Sequence, residues 1–137
     1  MPRQPRLMRS GEYYHVIGRG NNRQWIIEDD EDFEYYVEQL RKYQQKFAVS
    51  LFHYCIMSNH VHLLLRSEEA DDAITRMMKG VHMVYAKHFK RKHETTGHVF
   101  EDRFKSWHVN SDAYLLECGR YIERNPVRAK MVEEPAQ

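Results

Sequence analysis

Cysteine is scarce in this sequence of 137 residues: Cys55 and Cys118 are its two, and they form no C-x-x-C pair. Their isolation excludes a disulfide framework and a cysteine zinc site, and it predicts a reduced, cytoplasmic protein. Long apolar runs are missing too. No window approaches the roughly 20 successive apolar residues that a membrane span requires, so no membrane partner is expected. Residues 1–9 are basic, with Arg3, Arg6 and Arg9, but lead into no apolar stretch, unlike a secretory signal. The length suits one domain of about 100–150 residues and falls short of the roughly 250 of a (β/α)₈ barrel. We expect a single domain over residues 1–137, with 1–11 as a basic arm. A surplus of one charge is also lacking, since 21 Lys+Arg against 20 Asp+Glu leave +1. At face value that balance argues against a polyanionic partner.

The balance conceals segregation. Glu28, Asp29, Asp30, Glu31, Asp32 and Glu34 crowd residues 28–34 without a base. From Lys79 to Lys105 seven bases (Lys79, Lys87, Lys90, Arg91, Lys92, Arg103 and Lys105) face three acids, Glu94, Glu101 and Asp102. A polyanion responds to the local field rather than to the total. Charge runs of this length read equally well as solvated helix faces, so they decide nothing alone.

Hydrophobic periodicity supplies the architecture. Glu12–Ile17 is aromatic and β-branched and stops at the turn-forming Gly18-Arg19-Gly20-Asn21-Asn22, which predicts a first strand. Phe33, Tyr36, Val37, Leu40 and Phe47 recur at helical spacing, and acids crowd the amino-terminal turn, which predicts a helix over 31–47. Val49–Met57 and His60–Arg66 are strand-like runs joined at Ser58-Asn59, a hairpin signal. A second long helix follows from Ile74, Met77, Met78, Val81, Val84, Tyr85 and Phe89. His98–Val109 predicts a fourth strand, and Ser111-Asp112 can cap a third helix carrying Tyr121 and ending at Pro126. The order fits an α+β, ferredoxin-like β-α-β-β-α-β antiparallel sheet with an additional C-terminal helix. That superfold hosts unrelated activities, so function has to come from a site.

The densest chemical signal is Met57-Ser58-Asn59-His60-Val61-His62-Leu63-Leu64-Leu65. Side chains alternate along a strand, so His60 and His62 share one face and can share one ion while Val61, Leu63 and Leu65 face the core. Neutral imidazole is a common metal ligand. The spacing alone leaves open whether the pair binds a metal or simply alternates on a half-buried strand. Cys55, opposite His62 across the expected hairpin, is a geometric candidate for a third ligand, although a buried Cys more often acts as a small hydrophobe. Tyr121 and Asn125, four apart, share a helix face, and an Asn oxygen suits a hard cation.

These motifs, with Tyr14-His15-Val16, Arg19-Gly20-Asn21-Asn22-Arg23, Gly97-His98-Val99-Phe100, Arg103-Phe104-Lys105-Ser106, Tyr121-Ile122 and Asn125-Pro126-Val127-Arg128-Ala129, resemble the single-tyrosine transposases of the IS200/IS605 type. The branch associated with repetitive extragenic palindromes is the most similar. The resemblance spans nearly the whole chain in order and spacing. It implies a His-hydrophobic-His endonuclease fold, with His60, His62 and Asn125 as metal ligands, Tyr121 as nucleophile, Mg²⁺ or Mn²⁺ as the ion and single-stranded or hairpin DNA as substrate. Relatives use a Gln where this chain has Asn125, and they place apolar or His side chains where it has Glu123-Arg124. Many relatives also continue beyond the place where this sequence reaches Gln137.

The implied reaction is attack by Tyr121 on a DNA phosphate, giving a 5′-phosphotyrosyl enzyme and a free 3′-hydroxyl that can re-attack and join strands. Candidate phosphate contacts are Arg3, Arg6 and Arg9 of the arm, Arg19 and Arg23, Lys87, Lys90, Arg91 and Lys92 of the second helix, and Arg103 and Lys105. Two other classes compete: a non-catalytic single-strand binder on the same sheet, and a metal hydrolase using bound water. Monomer and homodimer are both compatible with the sequence.

Overall fold

Asp29 opens the first helix by accepting a hydrogen bond from the Asp32 amide at 2.9 Å, and Asp30, Glu31 and Asp32 fill its first turn, where the helix dipole favours acids. This helix, α1, spans Asp30–Phe47 in the computed structural model, which describes residues 8–101 and 103–109. It ends at Ala48, whose left-handed backbone (φ 53°) returns the chain into a strand. The elements in order are β1 (Tyr13–Arg19), α1, β2 (Val49–Ile56), β3 (His60–Ser67), α2 (Ala73–His93) and β4 (Lys105–Val109). The expected third helix, with Tyr121 and Asn125, lies outside the described residues, as do Arg3 and Arg6. Among the described residues no helix is long and apolar enough to cross a membrane.

The strands form one antiparallel sheet in the order β2-β3-β1-β4, the ferredoxin-like arrangement that the element order predicts. Alternation sorts its faces. Val16 of β1 and Val61, Leu63 and Leu65 of β3 point to one side and pack on Phe33, Tyr36, Val37 and Leu40 of α1 and on Ile74, Met77, Met78, Val81, Tyr85 and Phe89 of α2. His15, Ile17, His60, His62 and Leu64 fall on the other face by the same alternation. That face also carries a small apolar cluster of Cys55, Leu64 and Val109 with Tyr13, Phe52 and Met57, and the Arg66 guanidinium lies 5.0 Å from both the Tyr13 and Phe52 ring centres. Tyr13, Phe52 and Val109 cover the carboxyl end of β3, while Cys55 and Met57 lie along the β2 side of the histidines.

Two expectations are corrected. The fourth strand starts at Lys105 and not at His98: residues 98–101 lie outside it and meet the sheet through an isolated bridge between Gly20 and Phe100. The Phe100 ring stacks on His82 of α2 at 3.8 Å and 3°, which anchors this loop by its side chain rather than by a ladder. The acidic and basic runs also do more than cancel arithmetically. Lys92, at the end of α2, lies 2.7 Å from Asp29, 2.7 Å from Glu31 and 3.1 Å from Asp32 at the start of α1. Antiparallel packing brings the negative start of one helix to the positive end of the other, which suits both dipoles.

Candidate functional site

The turn between β2 and β3 is three residues, Met57 to Asn59, closed by the Met57 amide donating to the His60 carbonyl at 2.8 Å. It is stitched to the segment after β1. The Gly20 amide donates to Asn59 O at 2.9 Å, and the Ile26 and Ile27 amides both donate to Ser58 O, at 2.6 and 3.1 Å. The same segment holds the residue-98 loop through Asn21 N–H to Val99 O (2.9 Å), Gln24 Nε2 to Val99 O (2.9 Å) and Glu101 N–H to Arg19 O (2.8 Å). Gly20 is required by space: a Cβ there would stand 2.1 Å from the Gln24 carbonyl oxygen. Asn22 and Arg23 take left-handed backbone (φ 54° and 60°), which folds the loop back on itself. Three motifs far apart in sequence are therefore one backbone-bonded unit.

That unit borders a pocket of about 450 Å³ lined by Ile17, Arg19, Gly20, Arg23, Asn59, His60, His62 and Glu101. The His60 and His62 rings lie 4.8 Å apart, nearly perpendicular at 76°. His60 Nδ1 is 2.7 Å from Asn59 Oδ1; an amide oxygen only accepts, so Nδ1 carries the proton and Nε2 the lone pair. His62 Nδ1 is 3.1 Å from His15 Nε2 on β1, and the two rings stack at 5.3 Å. Burial lowers the pKa of both ligand candidates. In His60 the nearby Arg19 adds to it; in His62 the neighbours His60, His15 and Arg19 add to it, and the imidazole is pushed down to about 3. Both are neutral near pH 7, the form in which imidazole binds metals.

The donor set fits a divalent cation in part: two neutral imidazoles converge on a pocket, and they need an oxygen donor to complete a site. Among the described residues no group of three or more His, Cys, Asp or Glu side chains is placed to hold a metal. Cys55 does sit opposite His62 in the β2–β3 register. Burial pushes its thiol up to about 12, and it packs with Leu64 and Val109. Among the described residues Cys55 thus serves as a small hydrophobe of that cluster. Asn125, the oxygen donor implied by the motifs, and Tyr121 lie outside the described residues.

The predicted phosphate contacts divide. Arg19 and Arg23 line the pocket, and Lys105 is paired in register with Ile17 on the same sheet face. Arg9 is exposed just before β1, and Arg103 is part-buried in the loop before β4. Lys87, Lys90 and Arg91 belong to α2, which packs on the opposite face of the sheet from the histidines. Lys92 is engaged by three carboxylates and serves to join the helices, not to present a free charge. Local pattern assigns no chemical role to His15, Asn59 or Glu101. Trp107 was also missed; it is 43% exposed beside His15 on β4, with ring centres 5.8 Å apart. For His15 the signal was available in principle: it alternates with Tyr13 and Ile17, and those positions pair with β3.

A family model described as "Transposase IS200 like" matches residues 9–125. Among solved structures, the chain is similar to a REP-associated tyrosine transposase bound to a REP hairpin, with 17% identity, a TM-score of 0.70 and coverage of 93% of this chain and 73% of the other. It is also similar to a candidate transposase from Deinococcus radiodurans R1, with 18% identity, a TM-score of 0.59 and coverage of 93% and 100%. No curated protein matches the sequence.

Proposed function

The chain belongs to the IS200-like transposases, and from that premise we propose that it cuts and rejoins single-stranded DNA through a 5′-phosphotyrosine made by Tyr121. The observation that carries this reading is the pocket itself, where two neutral imidazoles meet two guanidinium groups on an otherwise apolar-capped sheet face. A divalent ion held by His60, His62 and Asn125 would supply positive charge beside the scissile phosphate. Arg19 and Arg23 bind the phosphate backbone entering the pocket, and Lys105 extends that contact along β1. Tyr121 attacks phosphorus in line and gives up its phenolic proton. The phosphorus–O3′ bond breaks, releasing a 3′-hydroxyl and leaving the 5′-phosphate on the tyrosine. Attack by a 3′-hydroxyl then reverses the exchange, with the number of phosphodiester-type bonds conserved.

The nitrogen-rich donor set suits Mn²⁺ better than Mg²⁺. Hairpin DNA is the substrate form we favour, on the likeness of the fold to that of a transposase bound to a REP hairpin. The test is covalent capture: the wild type with Mn²⁺ and a labelled hairpin-bearing single strand leaves a protein-linked band on a denaturing gel. Tyr121→Phe removes that band and retains DNA binding. Undiminished capture by the variant rejects the nucleophile. Free 5′-phosphate with no protein-linked strand selects the water-using hydrolase, and binding that ignores EDTA without cleavage selects the non-catalytic binder.

A further inference from the structure

His15 lies outside the His60-Val61-His62 motif, yet it is buried against it. His15 is 9% exposed and His62 2%, and His15 Nε2 meets His62 Nδ1 at 3.1 Å. The contact follows from register, because Ile17 pairs with His62 and His15 with Leu64, which sets the His15 ring beside the histidine end of β3. An imidazole has two nitrogens. His15 engages Nδ1 of His62, and the His62 ring lines the pocket with Nε2 as its other nitrogen.

Two tautomer arrangements satisfy a 3.1 Å contact, and they differ in consequence. If His15 Nε2–H donates, His62 keeps its proton on Nε2 and has no lone pair for the pocket. If His62 Nδ1–H donates, Nε2 carries a lone pair of the kind a cation binds. His60 already shows the second pattern, because the oxygen Asn59 Oδ1 compels Nδ1–H. We infer that His15 is a positioning residue that accepts the His62 Nδ1–H, so that both histidines of the pair present Nε2 to one ion. The inference rests on the reading of His60 and His62 as metal ligands. His15 is not itself a third ligand in this arrangement, since its Nε2 is taken by His62 and no three-residue group of metal-binding type is formed among the described residues.

The experiment uses full-length, ¹⁵N-labelled protein. Long-range proton–nitrogen spectra of the metal-free wild type report the His62 tautomer directly, and Nδ1–H is the expected state. Mn²⁺ titration by calorimetry then compares variants. His15→Leu, which removes the acceptor, weakens Mn²⁺ binding by about 10–100-fold, the usual loss when the group orienting a metal-bound His is removed. His15→Gln places an amide oxygen near the former Nε2 and restores affinity to within about threefold of wild type. A wild-type spectrum showing Nε2–H, or a folded His15→Leu with wild-type affinity, overturns the inference. If His15→Leu does not fold, the wild-type tautomer still decides. His62→Ala separates the two levels: unchanged Mn²⁺ affinity in that variant rejects the metal reading, whereas its loss beside an unaffected His15→Leu rejects only the role of His15.

Discussion

Gly18 of β1 and His82 of α2 approach so closely that a Cβ on residue 18 would stand 2.6 Å from His82 Cε1. The same imidazole stacks on Phe100 and its Nε2 bonds Tyr36 Oη at 2.9 Å, so one ring ties the helical layer to the strand and to the loop bordering the pocket.

Gly18→Ala should therefore destabilise the protein by about 1–3 kcal/mol through overpacking. Urea denaturation of the single variant and of the pair with His82→Ala checks this. The two changes should be non-additive, because they act on one contact. Additive losses would show that the clash is absorbed elsewhere.

Acid should weaken the fold in the range where His82 titrates only when unfolded. Burial pushes His82 down to about 3 from the ordinary 6.5. Between these values the unfolded chain binds a proton that the folded chain does not, so stability rises with pH, by about 1.4 kcal/mol per unit for one group. His62 adds a second such contribution. His82→Gln should reduce the slope of stability against pH in metal-free protein measured from pH 4 to pH 6; an unchanged slope would assign the acid sensitivity to other groups.

Asp32 is fully buried at the start of α1, where His93 Nε2 (2.9 Å), His88 Nε2 (3.0 Å), the Glu28 amide (3.1 Å) and Lys92 Nζ (3.1 Å) all reach its carboxylate. Burial alone would raise its pKa, but those hydrogen bonds outweigh it and hold the carboxyl below the ordinary value. Asp32→Asn should cost about 2–4 kcal/mol, since it leaves buried donors facing an uncharged amide. Lys92→Ala should cost under about 1 kcal/mol, because that ammonium is partly solvated and Asp32 keeps its other donors. Equal losses in the two variants would contradict this ranking.

Salt dependence separates the basic residues. Each phosphate contact on single-stranded DNA contributes about 0.7 to the slope of log affinity against log salt. Arg19→Ala and Arg23→Ala should each lower that slope by about this amount. Lys92→Ala should leave it unchanged. Fluorescence anisotropy with a labelled strand at several salt concentrations gives the slopes, and a large effect of Lys92→Ala would mean that DNA displaces the carboxylates.

Much of the frame can be read from local pattern. The apolar spacing of Phe33, Tyr36, Val37 and Leu40, and of Ile74 to Phe89, marks both helices because a helix buries one stripe. The alternation around His60 and His62 marks their shared face because a strand repeats every two residues. The fourth strand is overextended at His98 because β-branched and aromatic residues also occur in loops that pack on a core, as Val99, buried, and Phe100, partly buried, show.

Local pattern sets which segments coil, which extend, and which residue types sit at i and i+2. Tertiary structure alone decided partnerships, because they depend on register and helix juxtaposition. In the sequence Lys92 is one cation of a basic run; antiparallel packing sets it among Asp29, Glu31 and Asp32. His15 looked like a strand residue until the β1–β3 pairing placed its Nε2 on His62. A linear sequence carries the period of each element, but not the lateral offset between elements, and here the offset sets the chemistry of the pocket.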